Sequence, residues 1–348
     1  MCFILKSMQK KSIIPFIIGF FISVILLSLI IGGGFFLYLK ALKSDNIVLN
    51  PIEKGTKKTG LFSKIKAAPK YNSIFKEGEI LNVLLLGIDR RSKSQSGFNT
   101  DVMILLSINP KTNKTLLTSV PRDLWINGNK INALYTVYGW ETLKDAYEKI
   151  TGQKIDGYIR ADFEDFRWVV DSFGGVPINV ESGFTDTTFP NNSDTGVITA
   201  SFTQGSEKMN GERALTFARS RHGDNGEGSD LKRAKRQHII LKGMLEAIKQ
   251  PESIFWPMNV ENFYNAAVTH MTTTLSLDDA YYLWDFYKDK DKYSIESFVI
   301  GDDYVYFPGL YPASPYHAWV FIPRDESFSQ LHKDVNDKLN GTFVNSAL

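Results

Sequence analysis

The chain has 348 residues, with 40 Lys and Arg against 38 Asp and Glu, a formal net charge of +2, and 43% apolar content. That length suits one large domain or two small ones, and the near-neutral balance excludes nucleic-acid binding driven by bulk charge. Cys2 stands alone among the 348 residues, which excludes an intrachain disulfide and a cysteine-based metal site.

Residues 1–12 form a short tail carrying Lys6, Lys10 and Lys11. Residues 13–39 are uncharged and rich in Phe, Ile and Leu. The run exceeds the roughly 20 residues that cross a bilayer core, and no small-residue cleavage pattern follows it. It predicts one uncleaved transmembrane anchor. Lysines flank both ends, so the positive-inside rule does not decide the orientation. Nearly all the mass follows the span, which predicts an inner N-terminus and an outer domain at the cell membrane. A cysteine-free outer domain suits a bacterial envelope. Residues 40–77, with nine lysines, two prolines and two glycines, read as a polar tether.

The apolar run Leu81–Ile88 predicts a strand buried on both faces, ending at Asp89. Residues 102–108 and 115–120 predict two more strands joined by the turn cluster 109–114. Pairing them as a hairpin sets Asp101 beside Arg122, and a strand 81–88 parallel to 115–120 brings Asp89 to the same edge. Ligands of open α/β sheets bind outside such strand ends. Residues 141–150 predict a helix closed by Gly152. Asp162 predicts the N-cap of a second helix with Phe163, Phe166, Val170 and Phe173 on its apolar face, followed by a strand at 176–180. Residues 183–204, dominated by Thr, Ser, Asn, Asp and Gly, read as a long surface loop. A helix at 211–218 leads into Arg219-Ser220-Arg221. Asp230 is the expected cap of a long helix reaching about Lys249, with Arg233 and Gln237 extending its apolar stripe toward the N-terminus. Ser276 and Asp279 predict a capping box for a helix at 277–288, and 295–300 a strand. A helix is expected at 327–339, and residues 302–348 carry no motif.

Two constellations carry chemistry. Asp89 and Asp101 are either turn residues or ligands of a hard divalent cation shared with phosphate oxygens. Arg122, Arg219, Arg221, Arg233 and Arg236 are either a pyrophosphate clamp, aided by a helix N-terminus, or a solvated basic face paired with Asp224, Glu227 and Asp230. The five histidines show no paired metal spacing, and no nucleophile elbow, Walker loop or dinucleotide fingerprint is present.

Taken in order, Leu84-Leu85-Leu86-Gly87-Ile88-Asp89, Thr100-Asp101-Val102, Ser119-Val120-Pro121-Arg122-Asp123, Lys130-Ile131-Asn132-Ala133, Phe173-Gly174-Gly175-Val176, Ala218-Arg219-Ser220-Arg221 and Asp230-x-x-Arg233-x-x-Arg236-Gln237 resemble the LytR-CpsA-Psr family of bacterial envelope proteins. The resemblance covers residues 80–250. It departs at Gly97-Phe98-Asn99, where many members carry an Arg-Ser lead, and at Tyr138-Gly139-Trp140, which replaces a double-glycine turn.

The resemblance implies an α/β fold with a central mixed sheet between helices, spanning 78–301 and followed by an extension at 302–348. It implies a phosphotransferase that moves an anionic glycopolymer from a polyprenyl pyrophosphate carrier to peptidoglycan. Carried over by motif, Asp89 and Asp101 would bind Mg²⁺ or Mn²⁺, and with Arg122 they would be catalytic. Arg219, Arg221, Arg233, Arg236 and Gln237 would hold the pyrophosphate. A pyrophosphatase acting on the same lipid, or a non-enzymatic lipid-binding regulator, are the rival readings.

Overall fold

The computed structural model describes residues 71–90, 93–95, 97–191, 195–248, 250–251, 253–254, 259–309 and 319–344. The tail at 1–12, the span at 13–39 and the tether up to residue 70 lie outside them. Among the described residues no helix is long and apolar enough to cross a membrane.

The first apolar run forms β1 (Leu81–Ile88), buried along most of its length. β2 (Thr100–Asn109) lies antiparallel to it, and β3 (Lys114–Ser119) antiparallel to β2. Asn113 closes the β2–β3 turn at φ 56°, a left-handed conformation that asparagine tolerates. Two short strands, β4 (Trp125–Ile126) and β5 (Asn129–Lys130), precede α1 (Ile131–Tyr138) and α2 (Trp140–Thr151). α2 ends at Gly152, φ 67°, the expected glycine stop. β6 (Gly157–Ala161) then runs parallel to β1.

α3 (Phe163–Ser172) opens on a capping box in which the Asp162 carboxylate accepts from Asp165 N and the Asp165 carboxylate from Asp162 N. After β7 (Val176–Val180) come β8 (Phe184–Pro190), β9 (Val197–Phe202) and β10 (Gly205–Met209), then α4 (Gly211–Arg219) and α5 (Asp230–Ala247). The chain continues through α6 (Val260–His270), β11 (Thr272–Thr273), α7 (Leu277–Lys288), β12 (Ser294–Val299), β13 (Val305–Tyr306), β14 (Ile322–Pro323) and α8 (Ser329–Asn340). The predicted Ser276–Asp279 capping box opens α7.

The central sheet is mixed, in the order β11-β6-β1-β2-β3-β12. Side chains alternate across β1, so it feeds two cores. Leu84 and Leu86 pack with residues of α1, α2 and α8, among them Leu134, Tyr147 and Val335. Leu81 and Val83 face the other way, toward Phe75, Leu275 and Leu283 of α7. Each leucine so buried contributes about 2 kcal/mol. A third core joins α3, α4 and α5 to β7–β10. Helices thus cover both faces of the sheet. Residues past 301 enter the first core: Val305, Leu331, Val335 and Leu339 are among its most buried members.

Three local expectations need correction. Residues 183–204 are not a surface loop: β8 and β9 pair as a hairpin. Phe184, Asp186, Phe189, Ala200 and Phe202 are buried, so polar composition masked a strand pair whose threonines and serines occupy the outer side. Ser229, not Asp230, caps α5, its hydroxyl accepting from Lys232 N at 3.2 Å. Asp230 sits instead in the first turn, where its charge faces the positive end of the helix. The motif at 130–133 opens a helix, α1, that periodicity did not disclose.

Candidate active site

The β2–β3 register pairs Ile104 with Ser119, and its outward continuation sets residue 101 against residue 122. Arg122 Nη1 donates to Asp101 Oδ2 at 2.8 Å, as the hairpin predicts. Asp89 arrives at the same edge from β1, its N–H donating to Asn99 O at 3.2 Å. Among the described residues its carboxylate makes no hydrogen bond or ion pair.

The other guanidinium groups come from α4, from the turn that follows it and from α5. α4 ends at Arg219, and Ser220–His222 turn back across Asp186 of β8. The buried Asp186 carboxylate accepts from Ser220 Oγ at 2.7 Å, His222 N at 3.2 Å and Arg221 N at 3.3 Å. Burial works to raise its pKa, but the Ser220, Thr188 and His222 hydrogen bonds prevail and hold it below the ordinary carboxylate value. Fixed in this way, Arg221 reaches Asp101 Oδ2 with Nη2 at 3.3 Å. α5 is seated close on β7: a Cβ on Gly243 would lie 2.6 Å from Pro177 O. Its first turn presents Arg233, with Gln237 one turn on.

Arg233 is the tensest group at the site. Its side chain is 8% exposed. Burial first, and then repulsion from Arg221 and Arg122, pull its pKa from 12.5 down to about 10, against attraction from Asp230 and Asp101. Nη1 lies 3.0 Å from Asp230 Oδ1, within ion-pair distance, yet it has no partner at hydrogen-bonding geometry. For Arg122 burial likewise opposes the charge, but Asp101, Asp123 and Asp230 outweigh it and raise its pKa.

Arg236 does not join this group. Nε donates to Phe217 O at 3.0 Å, Nη1 to Glu227 Oε2 at 2.9 Å and Nη2 to Ser220 O at 2.5 Å, and its plane lies over Phe184. Every one of these partners belongs to the protein, so Arg236 pins the 217–227 segment rather than facing a ligand. Its pairing with Glu227 is the alternative that the sequence left open for the whole set.

Three compartments meet at Asp101 and Arg122. The first is an apolar cavity of about 630 Å³, walled by Leu85, Ile159, Phe166, Phe189, Ile240 and Met244, with Asp89, Asp101, Arg122, Arg219, Arg221, Arg233 and Gln237 at its polar end. Arg219 lies over the rings of Phe163 and Phe189. The second is an open polar groove of about 790 Å³, reached by Asp89, Phe98, Trp125, Lys130 and Asn132. The third is a recess of about 260 Å³ that shares Arg233 and Gln237 with the cavity. Seven of the eight expected residues therefore converge, and Arg236 stands behind them. Residue-by-residue reading missed Asp186, hidden in a Thr- and Ser-rich stretch, and the ring of Phe166 and Phe189 as cavity wall.

No group of three or more His, Cys, Asp or Glu side chains is disposed to hold a metal among the described residues. Asp89 and Asp101 nevertheless share the cavity's polar end. Asp101 uses Oδ2 for both arginines, which leaves Oδ1. Two hard carboxylate donors fit a magnesium-type ion whose remaining positions go to water and phosphate oxygens.

The model of the LytR_cpsA_psr family matches residues 37–318. The chain belongs to this family. Among its LytR-CpsA-Psr relatives is the polyisoprenyl-teichoic acid–peptidoglycan teichoic acid transferase TagU of Oceanobacillus iheyensis, 30% identical over 72% of this chain and 74% of the relative. TagU of Bacillus subtilis is 27% identical over 74% of this chain and 76% of its own. Solved LytR-CpsA-Psr-like folds include TagV of B. subtilis (TM-score 0.56, 23% identity, 76% of this chain and 99% of that one). TagT bound to LIIa-WTA is similar at TM-score 0.56 and 23% identity, covering 76% of this chain and 93% of that one.

Proposed function

We propose that this protein transfers an anionic glycopolymer from a polyprenyl diphosphate carrier to a hydroxyl of peptidoglycan. The observation that carries this reading is Arg233: a buried guanidinium with an unsatisfied Nη1, beside two further arginines, at the polar end of an apolar cavity. A desolvated cation crowded by other cations is stabilised by an anion, and the cavity suits a hydrocarbon attached to that anion. The names of the TagU relatives support the same class of donor and acceptor.

In this reading the prenyl tail fills the cavity, and Arg219, Arg221, Arg233 and Gln237 hold the diphosphate. The acceptor hydroxyl enters along the polar groove. The Asp89 carboxylate, without a partner among the described residues, orients it and takes its proton. The hydroxyl oxygen bonds to the phosphorus that carries the glycan, and the bond from that phosphorus to the bridging oxygen breaks. Polyprenyl phosphate leaves, and the arginines stabilise the charge on its departing oxygen. Asp89 and Asp101 would hold a divalent cation, magnesium or manganese, which would neutralise diphosphate oxygens when bound. The uncharged run 13–39 would anchor the domain at the outer membrane face, where both substrates meet.

The test is transfer of a labelled prenyl diphosphate-linked glycan onto peptidoglycan by the purified chain and by Asp101→Ala. Transfer is expected from the former and none from the latter, with both giving the same far-UV circular dichroism. Full activity in Asp101→Ala refutes the assignment of that residue. Release of free phosphorylated glycan, with none on peptidoglycan, makes the protein a hydrolase instead.

A further inference from the structure

The recess beside Arg233 has a feature that anion binding does not use. Its outer wall is Trp319, which is 55% exposed although it is stacked on Phe307 at a 3.7 Å centroid distance and 20° between planes. An exposed pair of stacked rings is a firm apolar platform beside polar groups. Asp230, Asp302 and Ser229 lie around it in the same recess. Asp302 holds Arg324 through its backbone carbonyl, and its carboxylate has no partner among the described residues. A flat apolar face ringed by oxygen acceptors matches a pyranose, which presents C–H groups on one face and hydroxyls at its edge.

The three compartments differ in what they share. The cavity and the recess have Asp101, Arg122, Arg233 and Gln237 in common, whereas Asp89 borders the cavity and the groove but not the recess. A donor with a diphosphate on Arg233 therefore has its tail on one side of that residue and the recess on the other. The groove is left to the acceptor, on the side of the free Asp89 carboxylate. The cations lining the recess among the described residues are Arg122, which pairs with Asp101 and Asp123, and Arg233, which the donor reading gives to the diphosphate, so the recess offers no separate site for a further phosphate.

We propose that the recess is a subsite for the first sugar of the donor glycan, a neutral pyranose stacked on Trp319. The inference rests on the donor reading above and extends it to the residues past 301. The test uses the full chain in detergent and two probes, farnesyl diphosphate and farnesyl diphosphate bearing one N-acetylhexosamine, by titration calorimetry. Wild type is expected to bind the sugar-bearing probe about tenfold more tightly. Trp319→Ala should abolish that advantage and leave the affinity for farnesyl diphosphate unchanged, while Trp319→Tyr should retain most of it. Equal affinity of the two probes for wild type overturns the subsite and needs no variant to be folded. An advantage that survives Trp319→Ala but is lost in Trp125→Ala puts the donor sugar in the groove and also overturns it. Binding of neither probe overturns the donor reading as well.

Discussion

Replacing Arg233 by methionine should make the protein more stable and less able to bind its ligand. Methionine keeps the length and apolar packing of the arginine stem and removes the charge. The drop in pKa from 12.5 to about 10 corresponds to about 3 kcal/mol of destabilisation while the group is charged, at 1.36 kcal/mol per pH unit. The attraction of Asp230 is already included in that value, so the gain is about 3 kcal/mol, or a rise of about 6 °C in Tm for a domain of this size. The sign with pH follows from the lowered pKa. Below pH 10 the arginine is charged in both folded and unfolded chains, so the whole penalty is present. Between pH 10 and 12.5 the folded chain releases its proton first and the penalty fades, so the gap between variant and wild type should narrow. Inorganic pyrophosphate should reverse the order, because at a thousandfold excess over Kd it stabilises wild type by about 4.1 kcal/mol and the variant much less. The assay is thermal unfolding with and without pyrophosphate at pH 7 and pH 10.5. A variant less stable than wild type without pyrophosphate, or equal stabilisation of both by it, refutes the reasoning.

Arg236→Ala should cost about 3–5 kcal/mol in urea unfolding, because it strands the buried Glu227 and two buried carbonyls. Arg219→Ala should leave stability within about 1 kcal/mol and weaken diphosphate binding; similar losses of stability in the two would merge roles that the geometry separates. Phe166→Trp narrows the cavity, so it should reduce affinity for farnesyl diphosphate while sparing inorganic pyrophosphate, and calorimetry with both ligands checks this. Burial works to raise the pKa of Asp162, but Lys93, the Asp165 N–H and Arg90 prevail and hold it at about 2, against an ordinary 3.8. Its contribution is therefore present above about pH 4 and lost as the pH falls toward 2. Wild type should lose stability over that window more steeply than Asp162→Asn, and parallel acid-unfolding curves would count against this.

Much of the architecture was legible because short-range chemistry dictates it. The Asp162 N-cap, the Ser276–Asp279 capping box, Gly152 and the turn at 109–114 act within a few residues, and they fixed three helix ends and one hairpin. The β8–β9 pair was hidden because its buried phenylalanines are separated by threonines, whose hydroxyls look like loop chemistry in a composition count but suit the outer side of a strand. α1 was missed for the opposite reason, since Ile131, Thr136 and Val137 are β-branched and bias the segment toward a strand until packing against α2 overrides them.

The same division holds at the site. Hairpin register alone brings Asp101 to Arg122, so the sequence determined that an acid and a base meet at one sheet edge, and it supplied the basic residues opening α5. It put Arg233 on the inward stripe with Arg236 adjacent, three residues along the same helix and with the same side chain, and kept both as diphosphate ligands. Tertiary structure decided between them: the segment returning from α4 places Glu227 and the carbonyls of Phe217 and Ser220 around Arg236 and satisfies it, while Arg233 is buried beside other cations with a donor left over. A side chain's chemistry is local, but whether its hydrogen bonds are already taken depends on groups that arrive from distant parts of the chain.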